Sequence, residues 1–355
     1  MKSKKKICMV IPSFSAKGGI ASVVSGYRHS QLEFDFDIKY VETYCDGNMF
    51  AKIVMALKAY AYFMSLILFW HPSMIHIHSS FDGSFYRKLP FIVIGKIFNK
   101  PVINHIHGAD FDRFYVNASL KKRRIIEYTY NSCFRIVALS NEWRDKIKQI
   151  VDDNKIVVIE NYSILNLEAI RERKTKNNTH NVLFLGFICK RKGCYDIPSV
   201  VEKVTEEIPD VKFVLAGSGD VNQIQAITPD NLKNNIIYPG WVKGKEKDKL
   251  LREADLFFLP SYNEGMPMSI LDAMGYGLPV VSTTVGGIAK IVHDGVNGYL
   301  CKPGEIMSQA EAILQILKDD QLLKRLGDNS VSIVKNGYSL QAHISSLEKM
   351  YRSVI

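Results

Sequence analysis

The sequence lacks the patterns that mark common metal and nicotinamide sites. Its six cysteines are scattered over 355 residues, and the closest two, Cys189 and Cys194, have no second pair to complete a zinc site. It contains no H-E-x-x-H pattern and no G-x-G-x-x-G fingerprint. Short-period repeats and low-complexity tracts are also missing, which argues against a solenoid. These absences predict a globular protein with reduced thiols and without a metal or nicotinamide cofactor.

The charge is strongly positive. Lysine and arginine number 46 against 36 acidic residues, which gives a net charge of +10 and calls for an anionic partner. The lysines are spread along the chain, and no basic patch is interleaved with aromatic residues, so nucleic acid is not the expected partner. A phosphorylated small molecule or a membrane surface fits better. Apolar residues make up 47% of the chain, enough to form the cores of the two middle-sized domains that its length predicts.

Two segments bear on membranes. The basic start, residues 1–6, precedes an apolar run that Pro12 breaks, so we expect no export signal and a cytoplasmic protein. Residues 53–70 (IVMALKAYAYFMSLILFW) carry a single charge, Lys58, and approach the length of a membrane span. Because a strand-like segment follows at once, we expect a helix that is buried on two sides or lies against a membrane. The flanking lysines favour peripheral contact with the inner face of the cell membrane.

Short β-branched apolar runs alternate with longer amphipathic runs throughout the chain. In the first half the strands are predicted at 7–12, 36–42, 74–78, 102–107, 135–140 and 156–160. In the second half they are predicted at 182–186, 211–216, 236–238, 256–260, 279–283 and 298–301. Strand–helix–strand repetition of this kind predicts parallel sheets covered on both faces.

A polar stretch, residues 171–178, separates the two halves and is predicted to be a linker. We therefore expect an α/β protein of two Rossmann-like domains with parallel sheets that face each other across a cleft. The predicted domains are 1–165 and 166–338, and 339–355 is predicted as a helix that crosses back onto the first domain. Ligands of such sheets bind at the carboxyl ends of the strands.

The most informative segment runs from residue 254 to 282. A predicted strand leads into a loop that carries Glu264, and Pro267 stands where the first helical turn would begin. Asp272 lies two turns further along the helix. Backbone amides of Gly265, Met266 and Met268 would form a helix N-terminus suited to a diphosphate, while the two carboxylates suit sugar hydroxyls. The alternative is that Glu264 and Asp272 are solvated surface acids; the strand–loop–helix setting favours the binding interpretation.

These residues resemble a known family. The acid-x7-acid spacing, followed by G-L-P-V-V-S and by residues 285–300, resembles the retaining glycosyltransferases of family four, which have the GT-B fold. The resemblance implies that Glu264 contacts the donor sugar and that Asp272, where the family usually has glutamate, holds the ribose hydroxyls. It also implies that the second domain binds the nucleotide-sugar and the first faces the acceptor.

A second motif lies at residues 184–193 (FLGFICKRKG). Lys192 matches a lysine of the family, whereas Phe187 stands where an arginine is usual, so Arg191 is the candidate for the second cation. Cations here would neutralise the departing diphosphate. The alternative is a solvated basic loop.

Other site residues are implied by the same resemblance. Gly18 and Gly19 would let the backbone approach the donor phosphates. His107 would contact the donor sugar at the reaction centre, and Asp110 would point towards the acceptor. In the second domain Gly217 borders the donor site, and the nucleotide base packs at Trp241 and Val242. His76 and His78 are interpreted as histidines with satisfied hydrogen bonds near a strand end, and no metal site is expected there.

The resemblance implies a metal-independent hexosyltransferase that uses no cofactor. It would move a sugar from a UDP- or GDP-linked donor to a hydroxyl of a lipid-linked saccharide in polysaccharide biosynthesis. Two alternatives remain open at this point. One is a nucleotide-sugar 2-epimerase, which shares the two-domain fold. The other is a non-catalytic nucleotide-sugar-binding GT-B protein, for which Phe187 and Lys290, found where the family more often has glutamate, are the signs.

Overall fold

The computed structural model describes residues 3–173 and 178–355. The chain forms two compact units: Met1–Asn161 with Leu340–Ile355, and Tyr162–Ser339. The predicted linker, 171–178, lies partly outside the described residues, since 174–177 are not described. Its first part is not a linker, because Arg171–Arg173 end a helix. The six cysteines are all free thiols, four of them buried.

The first unit is an α/β layer structure. Its strands are β1 Lys6–Ile11, β2 Asp37–Glu42, β3 Met74–Ser79, β4 Val102–Ile106, β5 Arg135–Ala138 and β6 Ile156–Val158. Its helices are α1 Gly19–Ser25, α2 Gln31–Asp35, α3 Met49–Ser65, α4 Gly83–Ile97, α5 Leu120–Asn131, α6 Asn141–Ile147 and the last helix of the chain, Leu340–Val354. Short π-helical turns at Leu66–Trp70 and Asp112–Val116 complete it.

The second unit repeats the plan. Its strands are β7 Asn181–Leu185, β8 Lys212–Ala216, β9 Ile236–Gly240, β10 Leu256–Leu259, β11 Val280–Thr283 and β12 Gly298–Cys301. Its helices are α7 Leu167–Arg173, α8 Ile197–Thr205, α9 Val221–Ile227, α10 Lys245–Glu253, α11 Met268–Gly275, α12 Ile288–Ile291, α13 Ile306–Leu317 and α14 Asp320–Gly337, and the helix at Leu340–Val354 is therefore α15. The predicted strands are confirmed, each end to within two residues, since their apolar β-branched pattern comes from burial on both faces.

Strand order decides where ligands can bind. In the described residues the first sheet has the order β2-β1-β3-β4-β5-β6 and the second β12-β11-β10-β7-β8-β9, with parallel pairing throughout. The second order is that of the doubly wound Rossmann sheet. Its direction reverses between β7 and β10, and the first sheet reverses between β1 and β3. Crevices for ligands open at the carboxyl ends of such strand pairs.

The long apolar helix packs on one side only. Phe63, Leu66 and Ile67 are buried in the core of the first unit, whereas Phe50 and Phe69 are 75% and 81% exposed. Of the helices in 3–173 and 178–355, the stretch Met49–Trp70 is the one long and apolar enough to cross a membrane, with about a fifth of its apolar window buried (22%). Burial of one side only contradicts the alternative of a helix buried on two sides.

Candidate active site

Glu264 is buried in the loop that follows β10, at the point where the second sheet reverses direction. Its Oε1 accepts a hydrogen bond of 2.7 Å from the Ser261 hydroxyl and lies 2.5 Å from Nζ of Lys192. The alternative of a solvated surface acid is therefore wrong for Glu264. A buried carboxylate held by a cation and a hydroxyl has a fixed position from which to accept sugar hydroxyls.

The basic loop after β7 comes to the same place. Lys190–Lys192 form a single 3-10 turn, and Lys192 is largely buried against Glu264, which excludes the alternative of a fully solvated loop. Arg191 donates from Nη1 to the carbonyl of Asn263 at 2.8 Å, and the same nitrogen lies 3.9 Å from Glu264 Oε2. Two of the predicted cations are thus brought to one carboxylate.

Close backbone packing explains how the two loops meet. Gly193 has φ +71°, and a Cβ there would lie 1.9 Å from the carbonyl oxygen of Pro260. The backbone amide of Tyr262 donates to the carbonyl of Arg191 at 2.8 Å. Gly217, after β8, is packed as tightly, because its Cβ would lie 1.8 Å from the carbonyl oxygen of Gly186. Glycine is required at both positions, and it lets loops from neighbouring strands touch.

Gly286 and Gly287 pack closely against the backbone of the loop that carries Glu264. A Cβ at Gly286 would lie 1.9 Å from the Glu264 carbonyl oxygen, and the amide of Gly287 donates to the carbonyl of Gly265 at 2.7 Å. Met266 and Pro267 are buried, and α11 starts at Met268 with Pro267 as its N-cap. The first amides of α11 therefore follow the buried Glu264 closely in the chain, and they form the positive end of a helix dipole.

Asp272 lies on α11 and is bound by a cation that the sequence did not suggest. Its Oδ2 is 2.5 Å from Nζ of Lys247 on α10. Helix α10 is held in turn by Arg252, which forms ion pairs with Asp248, Glu168 and Glu172 at 2.9, 2.7 and 2.6 Å. Lys247 therefore fixes the Asp272 carboxylate in a half-buried position.

Trp241 and Val242 follow β9 directly, and both are partly exposed. The Lys243 ammonium lies 5.6 Å from the centre of the Trp241 ring, a cation–π contact. They lie at the carboxyl end of a strand, the part of a Rossmann sheet where a base can pack.

The remaining predicted residues lie in the first unit. Gly18, with φ +132°, precedes α1 and has open space where a Cβ would be, and Gly19 is the first residue of that helix. Asp110 lies 3.8 Å from Nη2 of Arg113, which also pairs with Asp82. Gly18 and Gly19 are at the carboxyl end of β1, a strand of the pair between which the first sheet reverses.

His107 follows β4 directly and stacks on His105, with ring centres 4.2 Å apart. Its Nε2 is 2.9 Å from Nδ1 of His78. Burial, and then the nearby His343, lower the pKa of His107 to about 3, so its ring is neutral at physiological pH. The prediction that His76 and His78 are satisfied is only half right, because in the described residues Nε2 of each has no hydrogen-bond partner.

Sequence comparison places both units in known families. Residues 166–332 match the family model "Glycosyl transferases group 1", and residues 23–162 match "Glycosyltransferase Family 4". The chain is therefore a glycosyltransferase built from these two domains. Its two Rossmann-like sheets are those of the GT-B fold, and the basic loop and acid-bearing loop described above lie within the group 1 match.

One protein similar in sequence and two solved structures of similar fold show what this chain is similar to. The UDP-Gal:alpha-D-GlcNAc-diphosphoundecaprenol alpha-1,3-galactosyltransferase of Escherichia coli is 26% identical, over 79% of this chain and 76% of its own. The sucrose-phosphate synthase of Thermosynechococcus elongatus has the same fold, with a TM-score of 0.81 at 15% identity and 99% coverage of both chains. Anabaena HepE in complex with UDP and glucose has a TM-score of 0.74 at 18% identity, covering 98% of this chain and all (100%) of its own.

This glycosyltransferase departs from the family pattern at Phe187. Phe187 is 57% exposed just after β7, and its phenyl ring cannot supply the positive charge of an arginine. Arg191, four residues later, lies 3.9 Å from Glu264, beside the closer Lys192. That Arg191 stands in for the missing arginine stays a prediction.

Two contacts were missed by sequence reasoning. Ser261 and Glu264 lie three residues apart in the loop after β10, a spacing short enough for their side chains to form a hydrogen bond. Lys247 carries no such local signal, because it meets Asp272 only through the packing of α10 near α11.

Proposed function

We propose that this glycosyltransferase is a retaining, metal-independent hexosyltransferase that uses a UDP- or GDP-linked sugar. The observation that carries the proposal is the convergence of Lys192 and Arg191 on the buried Glu264, beside the start of α11. Two cations and a helix N-terminus supply positive charge where a nucleoside diphosphate would leave. The chain's own side chains thus take the part that a divalent ion plays elsewhere.

In the proposed reaction the bond between the anomeric carbon and the diphosphate oxygen breaks, and the acceptor hydroxyl oxygen bonds to that carbon from the same face. The hydroxyl proton passes to the departing diphosphate oxygen. Lys192 and Arg191 stabilise the negative charge that grows on the diphosphate. Glu264 and the backbone behind it hold the sugar, and Asp272 holds the ribose. Because the pKa of His107 is low, its neutral ring would hydrogen-bond to the donor sugar rather than carry charge.

Relatives support the donor and acceptor classes. HepE has been determined with UDP and glucose, which favours a uridine diphosphate donor. The E. coli relative transfers galactose to a diphosphoundecaprenol-linked sugar, which favours a lipid-linked saccharide acceptor in polysaccharide assembly.

A peripheral position on the inner face of the cell membrane completes the proposal. Helix α3 and the turn after it present Phe50, Ile53, Leu57 and Phe69 to solvent, with Lys58 among them. Exposed apolar side chains mixed with lysine suit an interface of anionic lipid.

Flotation with vesicles of phosphatidylglycerol should carry wild type upward, and replacement of Leu57 and Phe69 by serine should leave the protein at the bottom. Equal flotation of the variant would contradict this position.

The reaction itself is tested with a panel of UDP- and GDP-sugars and a lipid-linked saccharide, in the presence of a chelator. We expect release of nucleoside diphosphate only with acceptor, a product with the donor's anomeric configuration by NMR, and loss of activity in Glu264→Ala. Glu246→Ala, an exposed acid on α10, serves as the matched control. Epimerised donor without transfer, nucleotide binding without turnover, or full activity of Glu264→Ala would overturn the proposal.

A further inference from the structure

The first unit contains a cluster of histidines that the transfer reaction does not explain. His76 and His78 lie on β3 two residues apart, and His105 on β4 is paired with His78 in the parallel ladder. Side chains two residues apart, and side chains opposite each other in the ladder, point to the same face of a sheet. The three rings therefore meet, with centres 4.4, 4.9 and 5.6 Å apart.

Four of the six ring nitrogens of this cluster are buried and have no hydrogen-bond partner among the described residues. Nε2 of His76, Nε2 of His78 and both ring nitrogens of His105 have no partner among the described residues, and all three side chains are fully buried. A buried polar atom without a partner costs about 1–3 kcal/mol, so four of them together call for something that binds them.

Hydrogen bonds already direct two of the rings. Nδ1 of His76 is 2.5 Å from the hydroxyl of Tyr351 on α15, and Nδ1 of His78 is 2.9 Å from Nε2 of His107. When each Nδ1–H donates to its neighbour, the lone pair of each ring lies on Nε2, the atom left without a partner. Histidines that bind metals are typically oriented in this way by a second hydrogen bond.

We propose that His76, His78 and His105 bind one divalent transition-metal ion, with zinc as the expected metal. One ring nitrogen from each lies within 4.8 Å of the other two. Imidazole nitrogen suits zinc rather than magnesium or calcium, and three histidines leave a fourth position for water. Zinc–nitrogen bonds of about 2.0–2.1 Å would bring the nitrogens to ~3.3 Å from one another, so the rings must move inward by about 1 Å.

The electrostatic surroundings allow neutral ligands. Burial lowers the pKa of His76 to about 3 and holds the pKa values of His78 and His105 well below the usual range, so their lone pairs need no deprotonation at neutral pH. The cation facing His78 is Lys88, whose pKa is also lowered well below its usual range by burial. The cluster lies in the first unit, where His78 contacts His107, and the proposal does not depend on the proposed transfer reaction. The proposed zinc site departs from the sequence-based expectation of no metal. That expectation was based on missing motifs and took no account of sheet register.

The test uses the full chain without a histidine tag, stripped with a chelator and dialysed. One equivalent of ZnCl2 is added, the protein is desalted, and zinc is measured by mass spectrometry alongside the thermal midpoint. We expect close to one zinc per chain and a higher midpoint than in the stripped protein. His105→Gln should keep less than about a tenth of the zinc, while His293→Gln, an exposed histidine of the second unit, should bind as wild type does.

Tyr351→Phe provides a test that does not remove a ligand. It deletes the partner of His76 Nδ1 and should weaken zinc binding about 10- to 100-fold without changing the stoichiometry at saturating metal. If His105→Gln fails to fold, Tyr351→Phe and the zinc stoichiometry of the wild type still test the proposal. Less than a tenth of an equivalent retained by wild type, or unchanged affinity in Tyr351→Phe, would overturn the proposal.

Discussion

Lys192 and Glu264 form a largely buried ion pair, with Nζ 2.5 Å from Oε1, although 72 positions separate them in the chain. They come from the loops after β7 and β10, the two adjacent strands where the second sheet reverses direction. The pair joins the group that would face the departing diphosphate to the group that would hold the sugar. Movement of either loop would therefore disturb both.

Removing the Lys192 ammonium tests its electrostatic role. Lys192→Met should lower kcat about 10²-fold or more, because charge on the leaving diphosphate loses a preorganised partner. Lys190→Met is the matched control, since Lys190 is exposed in the same turn, and should change kcat less than about 3-fold. Steady-state release of nucleoside diphosphate measures both. Similar losses in the two variants would mean that only the overall charge of the loop matters.

Arg191 and Phe187 can be tested by rescue. Arg191→Met should lower kcat/KM at least about 10-fold, because the cation 3.9 Å from Glu264 is lost. Adding Phe187→Arg to that variant should recover part of the activity, since it puts a cation at the position that is usual in the family. Phe187→Arg alone should have a small effect. An Arg191→Met variant with full activity would show that Lys192 suffices.

Gly193 should tolerate no side chain. Gly193→Ala combines a positive φ with a Cβ 1.9 Å from the Pro260 carbonyl oxygen, whereas Gly240→Ala has φ +81° and nothing within 4 Å. The φ penalty alone is about 1–2 kcal/mol, and about 1 kcal/mol lowers the melting temperature by ~2–4 °C for a unit of this size. We expect Gly193→Ala to lower the midpoint clearly more than Gly240→Ala and to reduce activity as well. Calorimetry measures the melting temperatures. Equal decreases in the two variants would show that the close contact of Gly193 with Pro260 adds nothing to the φ penalty.

Lys247 should act through Asp272. Lys247→Met removes the partner 2.5 Å from Asp272 Oδ2, and the freed carboxylate should bind ribose less well, raising the nucleotide Kd several-fold. Asp272→Ala should raise it by about 10-fold. Lys249→Met, on an exposed part of the same helix, is the control. Isothermal titration with UDP and GDP gives the constants; a Kd unchanged in both test variants would place the ribose elsewhere.

Thiol reactivity should separate the cysteines by burial. Burial raises the pKa of Cys133 and Cys194 to about 12 and of Cys301 to about 11, and raises that of Cys8 further, so at pH 8 these thiols hold almost no thiolate. A thiol-specific chromogenic reagent at pH 8 should therefore titrate the two partly exposed cysteines, Cys45 and Cys189, in the native protein, and all six after denaturation. More than two fast-reacting native thiols would contradict this prediction.

Much of the fold was determined by the sequence itself. Each predicted strand is found to within two residues, because short β-branched apolar runs are typical of parallel strands buried on both faces. The loop containing Glu264 and the start of α11, one residue after Pro267, were also predicted, because proline favours the beginning of a helix. These are local signals, carried by neighbours in the chain.

The tertiary structure alone decided which of these residues meet. The pairing of Lys192 with Glu264 depends on strand order and on Gly193 packing against Pro260, and neither is a local property. Lys247 reaches Asp272 from a different helix, and the three buried histidines converge because β3 and β4 pair in one particular register. Sequence patterns give the faces of strands and helices, whereas contacts between distant segments follow from the register and packing that folding selects.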